Sequence, residues 1–368
     1  MNPIYLKPEE KAVYALRELY RGYGYLPFKM SKFEEYDLYV RNKDFLVSDR
    51  IITFNDMGGK LLALKPDVTL SIIKNGEDIP GYKQKVCYDE NVYRVSGSTH
   101  HFKEIMQTGL ECIGDLDAYD VCEVVTLAAA SLDTVSSRFV LDVSHMGVLS
   151  ALLDDMAADQ DTRREITHCL SEKNPHDLTR ICLERGISLE DTDTLCEFMG
   201  IYGDMDTVLA RLAPLCRRHE SAMIALSDLT VLRDHLQTTP YADRIRFDFS
   251  IINDMTYYGG VVFRGFLDGI CEGVLSGGQY NKLMRRMGRR SGAIGFALYL
   301  DLLEGLTPTA PAYDVDVLVL YDTTVPYSAV AEKIAALRAE GKTVSAQRTV
   351  PDKLRYATVC DLRKEGVS

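Results

Sequence analysis

The stretch KVCYDENVYRVSGSTHHFKEIMQTGLECIG, residues 85–114, holds two runs of strand-forming residues, KVCYDENVYRV (85–95) and IMQTGLECIG (105–114). The polar segment SGSTHH (96–101) lies between them. β-branched and aromatic residues recur in both runs, which predicts two strands. In the second run Gln107 and Glu111 stand four residues apart, so the two-residue period of a strand puts both on one face. Upstream, RIITFND (50–56) and KLLALKP (60–66) flank Met57-Gly58-Gly59 and suit a hairpin. Downstream, RFVLDVSH (138–145), IRFDFSI (245–251), YYGGVVFRGF (257–266) and GVLSGGQY (273–280) also have strand character. The apolar positions favour a mostly antiparallel sheet. An amphipathic helix precedes it: Pro8 and two glutamates, then Ala12, Val13, Leu16, Leu19 and Tyr20 at helical spacing, stopped by Gly22 and Gly24.

From about Met146 to Thr239 the period turns helical, as in GVLSALLDDMA, DLTRICLERG and SAMIALSDLTVLRDHL. This reads as a helical insertion, residues 146–239. After Pro308 and Pro311, residues 313–368 carry an apolar strand, the Ala-rich helix SAVAEKIAALRAEG and the strand KTVSAQR, a β-α-β unit. The expected class is therefore α+β, an antiparallel sheet flanked by helices, with a helical insertion and a small β-α-β unit at the end.

A chain of 368 residues with 46% hydrophobic content can bury a large core, and this length commonly divides into domains. No apolar run is long enough to span a bilayer and no basic, then apolar leader opens the sequence, so a cytoplasmic location is expected and a membrane partner is not. The nine cysteines include no C-x-x-C pair, which fits reduced thiols better than a disulfide framework or a zinc site. A formal net charge of -12 argues against nucleic acid as the main partner. His100 and His101, on a polar loop without a carboxylate at ligand spacing, read as solvated, and the run MRRMGRR (284–290) as an exposed helix end. No metal site and no cofactor are expected.

Four stretches, in order, resemble the histidyl-tRNA synthetase family. LALKPDVT (62–69) is similar to its L-R-P-E-G-T strand end, and NVYRV…FKEIMQTGLECIG (91–114) to class II motif 2 with its Q-x-G-x-E continuation. TYYGGVVF (256–263) is similar to L-D-Y-Y-T-G-T-x-F, and SGGQYNKLMRRMG…GAIGFALYLDLL (276–303) to G-G-R-Y-D-x-L followed by motif 3, G-F-A-x-G-L-E and an arginine. The resemblance covers roughly residues 1–306. It implies a class II synthetase-like core over residues 1–145 and 240–306, and makes residues 313–368 a truncated relative of the anticodon-binding domain.

Free histidine presents an ammonium, a carboxylate and a two-nitrogen ring, so a selective site needs acceptors for the ammonium and a polar pair for the ring. By resemblance, Asp67 and Gln107 would hold the ammonium, Glu111 and Tyr258 would contact the imidazole, and Tyr257 would shape the wall. Taken alone, Gln107 and Glu111 read equally well as solvated strand residues, and the tyrosines as packing.

Activation of histidine by ATP requires fixed cations where charge develops. The motif 2 arginine is kept as Arg94, a residual nucleotide-site position. The motif 3 arginine falls on Leu302 and the arginine before L-D-Y-Y falls on Asn253. SGSTHH replaces the arginine-rich motif 2 loop, with Lys103 near its last arginine; Gln279, Asn281 and Ser31 replace arginine, aspartate and proline, while Glu34 is kept. One missing cation of this kind costs roughly 100- to 1,000-fold in rate.

A core that keeps the histidine positions and loses the activation chemistry resembles the synthetase-like regulatory subunits of ATP phosphoribosyltransferase, and catalytic residues are then expected to be absent. The resemblance implies a short-form catalytic subunit as partner, a homodimer within a hetero-oligomer, and histidine as feedback effector in the first step of histidine biosynthesis. A histidyl-tRNA synthetase, or a stand-alone histidine- or tRNA-binding regulator, remains the alternative at this point.

Overall fold

Pro8 opens helix α1 (Pro8–Gly22), where its fixed φ suits the first turn and Glu9 and Glu10 face the positive end of the helix dipole. Ala12, Val13, Leu16 and Tyr20 form its buried stripe, and Gly24 leaves the helix at φ +84°. The computed structural model describes residues 8–42, 51–95, 101–217, 219–251, 258–306 and 312–363. Two compact units make up the chain, Met1–Leu306 and Thr307–Ser368.

In the first unit β1 (Leu26–Pro27) is followed by β2 (Phe33–Glu35), α2 (Tyr36–Val40), β3 (Thr53–Asn55), β4 (Leu61–Leu64) and α3 (Thr69–Asn75). β3 and β4 form the expected hairpin, and with β2 they make a separate three-stranded sheet. Asp56 Oδ1 accepts from the backbone N–H groups of Gly58 and Lys60, both at 2.8 Å, and so fixes the turn.

Next come β5 (Lys83–Val95), β6 (Phe102–Gly114), α4 (Ala118–Val135) and β7 (Phe139–His145). Six helices follow: α5 (Met146–Asp155), α6 (Gln160–Ser171), α7 (Pro175–Glu184), α8 (Leu189–Met199), α9 (Met205–Cys216), after the short β8 (Tyr202–Gly203), and α10 (Glu220–Leu236). Asp159, Asn174, Ser188 and Asp204 each accept a backbone N–H at the start of α6 to α9 in turn. The unit ends with β9 (Ile245–Asp248), β10 (Val261–Leu267), β11 (Leu275–Gln279), α11 (Asn281–Arg286), β12 (Gly292–Tyr299) and a 3₁₀ segment, Leu300–Leu306.

Nine strands form the main sheet in the order β1-β5-β6-β12-β11-β10-β7-β9-β8. Its pairings are antiparallel except β1 with β5 and β7 with β9. The sheet is mixed, α+β, as expected. One face rests on α1 and α4 through Leu110, Cys112, Leu127 and Phe296. The other packs Val86, Tyr88 and Ile113 against Leu70, Ile73 and Leu283 of α3 and α11. Coverage on both sides explains why β6 is buried continuously from Gln107 to Gly114. The helices from α5 to α10 share the first of these cores through residues such as Leu149, Leu170, Leu195, Leu212 and Leu229.

The second unit runs β13 (Val315–Leu320), α12 (Tyr327–Ala339), β14 (Val344–Gln347) and β15 (Tyr356–Asp361). All three strands are parallel, in the order β14-β13-β15, so a third strand extends the β-α-β reading. Its core is small, with Val317, Val319, Val330, Leu337 and Leu362 buried.

Six of the nine cysteines are buried, and all nine are free thiols. No helix among the described residues is long and apolar enough to cross a membrane.

Candidate functional site

The chain leaves β4 through Lys65-Pro66-Asp67 and turns at once into α3. Asp67 Oδ1 accepts from Leu70 N at 2.9 Å, which ties its carboxylate to the start of the helix. Arg94, near the end of β5, donates from Nε to the Pro66 carbonyl at 3.0 Å and locks the same turn to the sheet. Beneath it Lys65 is completely buried and donates to Glu90 Oε2 at 2.8 Å. Glu90 stands opposite Gln107 in the β5–β6 register.

Gln107 and Glu111 are 3% and 2% exposed, and they point to the same face of β6. A buried carboxyl needs partners. Glu111 has two: Thr69 Oγ1 donates to Oε1 at 2.8 Å and the Tyr280 hydroxyl donates to Oε2 at 2.5 Å. Burial pushes the Glu111 carboxyl up to about 8; the two hydrogen bonds pull it down, and nearby Asp67 adds to the rise. Asp67 is also raised by burial, against the pull of the Leu70 N–H and of Arg94.

Space for Glu111 comes from the neighbouring strand. Gly295 of β12 lies opposite it, and a Cβ there would sit 1.7 Å from Glu111 Oε2. Tyr258 packs its ring against Gly278 of β11 and bridges the two hydrophobic cores of the unit. Its electrostatic neighbours are Tyr299, Glu111 and Asp67.

The structure therefore brings Asp67, Arg94, Gln107, Glu111 and Tyr258 together on one face of the sheet. Tyr257, Asn253 and His100 lie outside the described residues. Thr69, Tyr280 and Gly295 were missed as partners of Glu111, although each falls inside a motif quoted above. Tyr299 was missed too; it stands where G-F-A-x-G-L-E has its second glycine.

The replaced positions serve the fold. Leu302 packs against the α1–α4 core. Gln279 Oε1 accepts from Val261 N and Asn281 Oδ1 from Ala293 N, both at 2.9 Å. Ser31 Oγ accepts from Phe33 N, and Glu34 pairs with Lys74 at 2.6 Å. Of the basic run, Arg289 donates to the carbonyls of Ile73 and Lys74 at the end of α3. Chemically the site offers one buried and one partly buried carboxyl group, one amide, phenolic hydroxyls and one guanidinium, a set suited to a small polar molecule with an ammonium group.

A mostly antiparallel sheet carrying these groups on one covered face defines a class II synthetase-like core. A family model described as histidyl-tRNA synthetase matches residues 1–303, and the chain belongs to that family. It is 28% identical over 293 residues to the ATP phosphoribosyltransferase regulatory subunit of Clostridium kluyveri, covering 78% of this chain and 74% of that one. The subunit of the same name from Oceanobacillus iheyensis is 28% identical over 291 residues, covering 78% and 71%. Among solved structures, an ATP phosphoribosyltransferase regulatory subunit/histidyl-tRNA synthetase from Bacillus halodurans superposes with a TM-score of 0.79 at 25% identity, over 96% of this chain and 93% of that one. The ATP phosphoribosyl transferase (HisG:HisZ) complex from Thermotoga maritima shares the fold, with a TM-score of 0.61 at 18% identity over 78% and 96%.

Proposed function

We propose that the chain is the non-catalytic regulatory subunit of ATP phosphoribosyltransferase, acting in the first step of histidine biosynthesis with a short catalytic subunit. The observation that carries this reading is a division within one fold: the acidic pocket around Glu111 is built and hydrogen-bonded, while Leu302 packs into the core at the position of the motif 3 arginine. The shared name of the relatives supports it.

Histidine is the effector in this reading. Asp67 and Gln107 receive its ammonium, Glu111 and Tyr258 its ring, Tyr257 closes the wall, and Arg94 stays at the carboxylate side. An effector acts only through different affinity for two arrangements of the assembly, and such coupling amounts to about 1–3 kcal/mol per site. We read residues 1–145 and 240–306 as the synthetase-like core, 146–239 as an insertion and 313–368 as a reduced anticodon-binding-like tail, in a cytoplasmic homodimer that joins the catalytic subunit. Reconstitution tests the reading: the chain should restore phosphoribosyl-ATP formation by a short catalytic subunit and show no histidine-dependent ATP–pyrophosphate exchange of its own.

A further inference from the structure

The pocket has a graded floor. On the face that carries Gln107 and Glu111, β12 presents Gly295 opposite Glu111, Ala297 opposite Gly109 and Tyr299 opposite Gln107. The next strand continues the small residues, with Gly278 opposite Gly295 and Ser276 opposite Ala297. Gly295 and Gly278 are filled in turn by the Glu111 carboxyl and the Tyr258 ring; beyond them Ala297, and then the single large side chain of Tyr299, follow on the way to Gln107.

Tyr299 belongs to this face because the strand alternates. Leu298 and Leu300 on either side of it are buried, 0% and 1% exposed, in the core against α1 and α4. Tyr299 is half-buried, with Arg94, Asp67, Arg264 and Asp301 as its charged neighbours. It is also an electrostatic neighbour of Tyr258 from across the pocket. The Glu111 end is thus acidic, and the Gln107 end carries a phenol beside a guanidinium.

We propose that Tyr299 is a specificity-determining wall that ends the pocket at the carboxylate of a bound amino acid, admitting the free amino acid and excluding one extended through its carboxylate, such as an aminoacyl nucleotide. The inference rests on the histidine-pocket reading. It adds a second safeguard to the missing cations: the pocket is too short for an adenylate, not merely unable to make one. Loss of cations lowers a rate, whereas a wall changes which ligand binds.

The test is isothermal titration calorimetry on the full chain with two probes, L-histidine and the non-hydrolysable adenylate mimic 5′-O-(N-L-histidyl)sulfamoyladenosine. The wild-type chain is expected to prefer histidine by about 100-fold or more, Tyr299→Gly to narrow that ratio at least about tenfold, and Tyr299→Phe to keep it, since the ring and not the hydroxyl sets the length. Tyr299→Ala, followed by near-ultraviolet circular dichroism, replaces the glycine variant if that fails to fold. A wild-type chain that binds the mimic as tightly as histidine overturns the inference and leaves the histidine pocket standing, as does an unchanged ratio in the small-residue variant. No histidine binding by the wild-type chain overturns both.

Discussion

The hydroxyl of Tyr280 donates to Glu111 Oε2 at 2.5 Å, joining residues 169 positions apart in the chain. Thr69 holds the other oxygen from a third segment. The site is therefore assembled from the starts of α3 and α11 and the later part of β6, and Glu111 is fixed before any ligand arrives. Preorganisation of this kind lowers the cost of ordering on binding.

Removing one side of this contact should reduce ligand affinity, and removing the other should reduce stability. Glu111→Ala is expected to weaken histidine binding by about tenfold or more, because the ring loses its buried acceptor. Tyr280→Phe keeps the acceptor but frees its position, at a cost of about 1–3 kcal/mol for a buried group left short of a partner. Calorimetry reads the first effect and urea unfolding the second. Histidine affinity unchanged in Glu111→Ala would reject the pocket assignment.

Glu111 also makes stability depend on pH. Its folded value, about 8, lies above the ordinary 4.5, so the folded state holds the proton more tightly than the unfolded state does. The stabilising contribution of the protonated form is present below about 4.5 and is lost as pH rises through about 8. Glu111→Gln, which carries no such proton, should flatten the fall in stability across that window. Unfolding curves of both proteins from pH 5 to 8.5, ligand-free, make the comparison; parallel slopes would show that Glu111 is not the group responsible.

Restoring two arginines should not make a synthetase. Leu302 is partly buried against the core, so Leu302→Arg is expected to cost about 0.5–3 kcal/mol through lost packing. Added to Asn253→Arg, it still leaves SGSTHH in place of the motif 2 loop. Pyrophosphate exchange by the double variant should stay at background. Robust exchange would mean that the remaining positions suffice for activation.

Much of the sheet is legible in the sequence. The runs at 85–95 and 105–114 become β5 and β6, and the glycines at 58 and 59 mark a real hairpin, with Gly59 at φ +82°. β12 is harder to see, because Gly292, Gly295 and two alanines break the pattern of a strand. The reason is local: only a glycine at 295 leaves room for the Glu111 carboxylate. α4 escapes the helical reading because a helix buried on nearly all sides, from Cys122 to Leu132, lacks a polar stripe. At the site, motif spacing finds Gln107 and Glu111, whose relation is local. Thr69 and Tyr280 need the folded chain, since their role is a contact 42 or 169 residues away.

Regulation without catalysis is read most directly from phosphoribosyl-ATP formation by a short catalytic subunit, measured with and without this chain and across a histidine titration. The catalytic subunit alone should show little activity, the added chain should bring full activity, and rising histidine should remove it. A catalytic subunit equally active with and without the chain would contradict the regulatory reading.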